Sequence, residues 1–262
     1  MRRALTLLGK ELREIRRSRG LLFSLAALPA TMLPLPIGLV FLVVHAPQGD
    51  LVNMLGFYTA QAGSMPGDAR QALIALVIRD CVGLFLVMPL FIPVLIAAQS
   101  VAGEKERRTI EPLLASPLTA AEIVLGKSLA AVIPALGITW AAFFLFAVGV
   151  NHVSEPLFGR AILPDPAWSF AVLLLAPLLC FLGNTVTVLV SSRVGDSRLA
   201  QQLSALIVVP LMALVVVQFT GFLFRGPWFF LWLGLGAAAL DLALFALAVR
   251  LFDRERILSR WS

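Results

Sequence analysis

The chain has 262 residues, of which 60% are hydrophobic and 14% charged, with a formal net charge of +6 and a mean hydropathy of +0.93. Soluble domains average about 25% charged residues, so an ordinary water-soluble globular fold is excluded. Only two histidines are present, His45 and His152, both just beyond the ends of apolar runs, which excludes a histidine-based catalytic or metal site inside a bilayer.

Residues 1–20, "MRRALTLLGKELREIRRSRG", come first. Helical spacing puts Leu5, Leu8, Leu12 and Ile15 on one face, while Arg3, Lys10, Arg13 and Arg17 turn away from it. This is the pattern of an interfacial amphipathic helix, drawn to anionic headgroups by about 1 kcal/mol per well-placed basic residue. The spread of basic residues and the length of the apolar run that follows separate it from a cleaved signal.

Six apolar stretches follow, at about 21–44, 81–102, 128–150, 168–192, 202–224 and 228–250. Each is long enough to cross about 30 Å of hydrocarbon at about 1.5 Å per residue. The expected architecture is therefore all-α, with a six-span membrane domain over 21–252 and a tail at 253–262. The segment 45–79 is the largest between spans on the far side, and its "LVNMLGFYTAQ" reads as a short helix lying on the membrane. Prolines at 29, 34, 36, 89, 93, 134, 177 and 210 read as kinks, which membrane helices tolerate. "DPAW" opens the fourth span with Asp165 as cap and Pro166 at the first helical position. Trp168 and Trp228 at outer ends, and Trp261 near the inner face, read as an aromatic belt. Cys81 and Cys180 read as small buried hydrophobes.

An inside N-terminus leaves seventeen of the twenty-one Lys and Arg residues in the cytoplasm and only Arg70, Arg79, Arg160 and Arg225 outside. The positive-inside bias therefore predicts both termini cytoplasmic. These basic flanks account for the net charge without any nucleic-acid partner.

"AEIVLGKS", residues 121–128, fits a relaxed phosphate-loop pattern. Such a loop needs glycines whose backbone N–H groups point at phosphate between a strand and a helix. Here the interior "EIVL" has no glycine, and "LLASPLT" before it carries a proline and gives no strand. Thr119 and Glu122 instead stand three apart as a capping box that starts a helix at Ala120. Lys127 would then lie near the inner membrane face with its stem snorkelling. No nucleotide site is read in this chain.

The polar stretch 103–119 connects the second and third spans. Ile110, Leu113 and Leu114 share a face of a short helix, with Glu104, Lys105, Arg107, Arg108 and Glu111 on the other. Taken alone, this also fits a solvated loop touching the headgroups. "GEKERRTIEPLLASPLTAAEIVLGK" resembles the cytoplasmic segment of ABC-2-type permeases, the membrane subunits of ATP-binding-cassette exporters, through Glu104, Lys105, Glu106, Arg107, Thr109, Ile110, Glu111, Leu113, Leu114, Ser116, Pro117, Gly126 and Lys127. Arg108 departs from the glycine frequent there. "LLGKELREIRRSRGLLFSL", "SSRVGDSRLAQQL" and "RLFDRERIL" are similar to the family's lead-in helix, its turn between spans four and five, and its exit from span six.

The resemblance implies a multi-pass protein of the cell (cytoplasmic) membrane that is not itself an enzyme. It implies a dimer with an identical or paralogous permease, and two cassette ATPase subunits. The chain would bind no cofactor, with ATP and Mg on the ATPases. Residues 104–118 would be the coupling helix, with Ile110, Leu113 and Leu114 buried in the partner and the charges setting register.

Asp241 is the one acid read as deep within a span. It is read either as part of a translocation path or proton site, or as a residue hydrogen-bonded to another helix. Asn184, Thr185, Thr187, Gln218 and Thr220 are read likewise as pathway or interhelical polar groups. The alternative function is a stand-alone ion-coupled carrier using Asp241. One acid and no repeat speak against it, and the spans hold no acid or histidine constellation for an intramembrane protease.

Overall fold

A computed structural model describes the backbone of residues 2–47, 68–106, 120–219 and 227–251 and the side chains of 8–47, 68–100, 122–218 and 228–250. The described residues form helices joined by short turns: α1 (Arg2–Arg17), α2 (Arg19–Met32), α3 (Pro34–His45), α4 (Ala69–Phe85), α5 (Val87–Glu106), α6 (Ala120–Phe158), α7 (Pro166–Phe170), a π-helical turn Ala171–Leu175, α8 (Ala176–Arg193), α9 (Ser197–Ala205), α10 (Val208–Phe219) and α11 (Pro227–Leu251). No strand occurs among the described residues. Six helical stretches are long and apolar enough to cross a membrane: Arg19–His45, Ala69–Ser100, Glu122–Phe158, Pro166–Arg193, Ser197–Gln218 and Trp228–Arg250.

Proline sets where these spans break. Pro34 opens α3 after a joint at Leu33, whose N–H reaches the Pro29 carbonyl at 3.0 Å. Pro89 lacks the N–H that would bond Phe85, and its ring clashes with that carbonyl, so α4 ends there and α5 begins at Val87. Pro210 does the same at Leu206, separating α9 from α10. The fourth span shows a further consequence. In the π turn a backbone N–H bonds five residues back, as Ala176 does to Ala171. Pro177 has no N–H for Val172, and the Trp140 indole of α6 donates to that carbonyl instead, at 3.2 Å.

Several helices run further than the apolar runs indicate. The second span begins at Ala69, capped by Asp68, because "ARQALIALVI" continues the helix ahead of residue 81. Its first turns fasten the end away from the 103–119 connection: Arg70 donates to the Val44 and Ala46 carbonyls at 2.8 Å, closing the C-terminus of α3, and Gln71 donates to the Leu157 carbonyl at 2.8 Å. Asn151 holds the turn after α6 by accepting from the Ile162 and Leu163 N–H groups at 2.9 Å. Asp165 accepts from the Trp168 N–H at 2.7 Å with Pro166 at the first helical position, as "DPAW" predicts. The helix after the polar connection starts at Ala120, as predicted; Thr119 and the segment "LVNMLGFYTAQ" lie outside the described residues.

The second span is the axis of the bundle. Of its most apolar window 83% is buried, against 17% for the sixth span, so α4 and α5 are enclosed by protein while α11 faces outward. Its closest neighbour is α8, which crosses α5 where Gly183 meets the Leu90 backbone carbonyl with no room for a Cβ. Gly183→Ala is therefore expected to push α5 and α8 apart and destabilise the protein by about 1–3 kcal/mol. Gly236, with nothing near its missing Cβ, is the matched control. Heat denaturation in detergent should show Gly183→Ala shifted and Gly236→Ala unchanged or slightly raised; equal behaviour would refute the close crossing.

Two expectations are corrected. Trp168 is not a belt residue. Its indole is fully buried among Phe85, Phe143 and Phe146, with ring centroids 5.3, 5.4 and 5.0 Å away, because α7 turns it inward over the core. Trp228 is 69% exposed, as a belt residue would be. Asp241 is not the one acid within a span, since Asp80 is buried in the second. The Arg79 guanidinium lies 3.3 Å from its carboxylate. About 30 Å of helix separates Asp80 from Ser100.

Candidate functional site

The polar connection between the second and third spans is anchored at both roots by one buried cluster. Glu11 on α1, Ser100 near the end of α5 and Lys127 near the start of α6 close a ring. The Lys127 ammonium donates to Glu11 Oε1 at 3.1 Å, to Ser100 Oγ at 3.0 Å and to the Ser100 carbonyl at 3.2 Å. The Ser100 hydroxyl donates in turn to Glu11 Oε2 at 2.8 Å. Glu11 and Lys127 are each only 3% exposed.

Sequence dictates this locally. Glu11 falls in the same helical stripe as Leu8, Leu12 and Ile15, so docking that stripe carries the carboxylate inward. Ile15 is buried in the main core and Leu12 packs against it. Ser18 then caps α2, accepting from the Leu21 N–H at 3.4 Å, and sets the elbow between α1 and the first span. The opposite face of α1 carries exposed Lys10, Arg13 and Arg17. Lys10 and Glu14 pair across one turn at 3.8 Å. The Leu5 side chain lies outside the described residues.

Lys127 corrects a further expectation. It does not snorkel towards water; it is enclosed and paired with an acid 116 residues away. Moving two charges out of water costs several kcal/mol per ion unless geometry and hydrogen bonds compensate. Here both carboxylate oxygens of Glu11 and both oxygens of Ser100 are hydrogen-bonded within the ring, so the cluster holds three segments in one register. Sequence reasoning missed Glu11. The available signal was an acid inside an apolar stripe, matched by a lysine at the edge of an apolar run.

At the next residue of α6, Asn184 of α8 donates to Ser128 Oγ at 2.7 Å, an interhelical bond. Gln218 of α10 donates to the Arg79 carbonyl at 2.8 Å and packs over Gly83, also between helices. Thr187 bonds only the Gly183 carbonyl of its own helix, at 2.7 Å. Thr185 is buried, and Thr220 lies outside the described residues. Asp241 is buried on α11, and neither carboxylate oxygen has a partner among the described residues, so the expected bond to a neighbouring helix is not seen. Glu122 stands in the first turn of α6. Glu104, Lys105 and Glu106 close α5, with side chains outside the described residues. Arg107, Arg108, Thr109, Ile110, Glu111, Leu113 and Leu114 lie outside the described residues altogether. No group of three or more potential metal ligands occurs among the described residues.

A multi-pass helical membrane protein with a charged connection rooted in a buried ion pair defines a class, and one family accounts for it. A model of the ABC-2 family transporter protein matches residues 5–224, most of the chain, and the chain belongs to that family. It is thus the membrane-spanning part of an ABC transporter. A comparison with curated proteins gives no match.

Proposed function

We propose that this chain is the permease subunit of an ABC exporter, with both termini cytoplasmic. It forms the translocation path with a second permease, and one cassette ATPase docks under each half, with residues 104–118 of this chain seated in the groove of one of the two. ATP binds and is hydrolysed on those partners, with Mg, and the permease contributes no catalytic group. The observation that carries this reading is the buried ring of Glu11, Ser100 and Lys127, which locks both roots of the charged connection to each other and to α1. A push on 104–118 then moves α1, α5 and α6 as one body. That is the rigid-body form of switching by which closure of the ATPases would turn the dimer from inward- to outward-facing.

The test is co-purification of the tagged chain from its native membranes under mild extraction and crosslinking, with an ATPase assay. A stoichiometric soluble ATPase is expected. Recovery of the chain alone would favour the stand-alone carrier, whose motivating observation is that the buried Asp241 carboxylate meets no partner among the described residues. Asp241→Asn separates the two. It should leave ATP-driven transport within about twofold, because a change at an unpartnered oxygen removes no bond, whereas a proton- or ion-coupled carrier would lose transport.

A further inference from the structure

Three spans are interrupted around one cavity. The first span breaks at Leu33, the second at Leu86 and the fourth in the π turn Ala171–Leu175. The cavity, of about 210 Å³, is lined by Leu33, by Phe85 and Met88 on either side of the Leu86 break, and by Trp168, one turn before the π turn. Each break costs the helix backbone bonds, because Pro34, Pro36, Pro89 and Pro177 have no N–H to give. A kink that serves packing alone is filled around, as protein interiors are. Here the space beside the breaks lacks the contacts that would resist bending.

Beyond the breaks, away from the 103–119 connection, the pieces are tied to one another. Arg70 of α4 holds the Val44 and Ala46 carbonyls at the end of α3, and Gln71 holds the Leu157 carbonyl of α6. Gln218 of α10 holds the Arg79 carbonyl of α4. Trp168 of α7 sits among Phe85 of α4 and Phe143 and Phe146 of α6. On the connection side, the Glu11–Ser100–Lys127 ring joins α1, α5 and α6, and α8 crosses α5 at Gly183 with no room for a side chain. Among the described residues only α6 and α11 run from one group to the other without a break.

We propose that the level of Leu33, Leu86 and Ala171–Leu175 is a hinge, at which the half of the bundle away from the 103–119 connection tilts as one body against the half that bears it. Hinges form where a few element-terminal residues absorb the change in backbone angles, and the two proline breaks and the π turn supply them. α6 links the halves. It is held at Lys127 in the near half and grips the far half through Phe143 and Phe146. Between them it carries Pro134, where an unbroken helix can flex, and Trp140, whose indole meets the Val172 carbonyl of the π turn at 3.2 Å. The hinge is a property of this chain alone. Its use rests on the permease reading above: through it a push on the connection reaches the far face.

The test reads distances between pairs of nitroxide labels in the full chain, held in lipid nanodiscs with excess unlabelled chain so that each distance lies within one molecule. Four exposed positions are changed to cysteine and labelled two at a time: Phe41 and Val216 beyond the hinge, Phe23 and Leu199 before it. Cys81 and Cys180 are buried and stay unlabelled. Phe41–Val216 and Phe23–Leu199 should each give one narrow distribution, and Phe41–Leu199 and Phe23–Val216 a broad or two-peaked one. Pro89→Ala restores an N–H to the second span and should narrow both cross-hinge distributions to the width found within a half. Pro156→Ala, in the far part of α6, should leave them unchanged. Cross-hinge distributions as narrow as those within a half would overturn the proposal, whether or not Pro89→Ala folds. So would equal breadth within the far half, which would make its pieces loose rather than one body, or narrowing by Pro156→Ala as large as by Pro89→Ala.

Discussion

Lys127→Met is expected to destabilise the protein by about 3–5 kcal/mol, the range for removing one partner of a buried ion pair. The variant keeps the stem volume but leaves the Glu11 carboxylate enclosed with, among the described residues, only the Ser100 hydroxyl to meet it. Glu11→Met should also destabilise, because it leaves the buried ammonium on the Ser100 oxygens without its carboxylate counter-charge. The double variant Glu11→Met/Lys127→Met should recover most of the loss, since a buried pair replaced by apolar groups is often neutral or stabilising. Heat denaturation of the four proteins in detergent forms the cycle. Additive losses in the double variant would mean that the two groups do not stabilise each other, and the ring would have no energetic content.

The same four proteins separate stability from transmission. If the ring keeps α1, α5 and α6 in one register, the double variant regains stability without regaining a directional link, since methionine packs adaptably. ATP-driven transport by the assembled complex should therefore stay low in the double variant while assembly is normal. The charge-swapped variant, Glu11→Lys/Lys127→Glu, should restore more of it. Full transport in the double variant would make the ring a packing feature alone.

How much of this was written in the chain depends on what each residue reports. The spans and their number follow from composition, because a bilayer demands long apolar helices. The cap at Asp165 and the joints at Pro34 and Pro89 follow from local chemistry. Contacts between distant segments are different. Lys127 looked like a snorkelling flank because its neighbours say nothing about Glu11, 116 residues away. Trp168 looked like a belt residue because its position in the span was visible and its facing was not. The extent of α4 was hidden by Arg79 and Asp80, whose charges ended an apolar run although helix continued through them. Ser100, Glu11 and Gln218 carry no motif at all, and only packing makes them a ring or a bridge.

The largest functional effect is expected at the connection itself. Leu113→Glu/Leu114→Glu should release the ATPase. Side chains buried at the centre of an interface cost roughly 2 kcal/mol or more each when lost, and a carboxylate in their place adds desolvation. Two such changes weaken association by about a thousandfold or more, enough to remove the ATPase from the purified complex. The membrane domain should be unaffected, because the ring at the roots is built from other residues. Charge reversal at Arg107 or Glu111 should act differently. Docking register would be disturbed while the apolar anchor remains, so the ATPase should still co-purify but with uncoupled hydrolysis, and with salt-sensitive association. Pull-down and ATPase measurements on both sets decide the matter. Release by Arg107→Glu with retention by the leucine variant would mean that charge, not apolar burial, holds the partner. Normal coupling in both sets would leave the segment as a solvated loop and place the ATPase contact elsewhere on the cytoplasmic face.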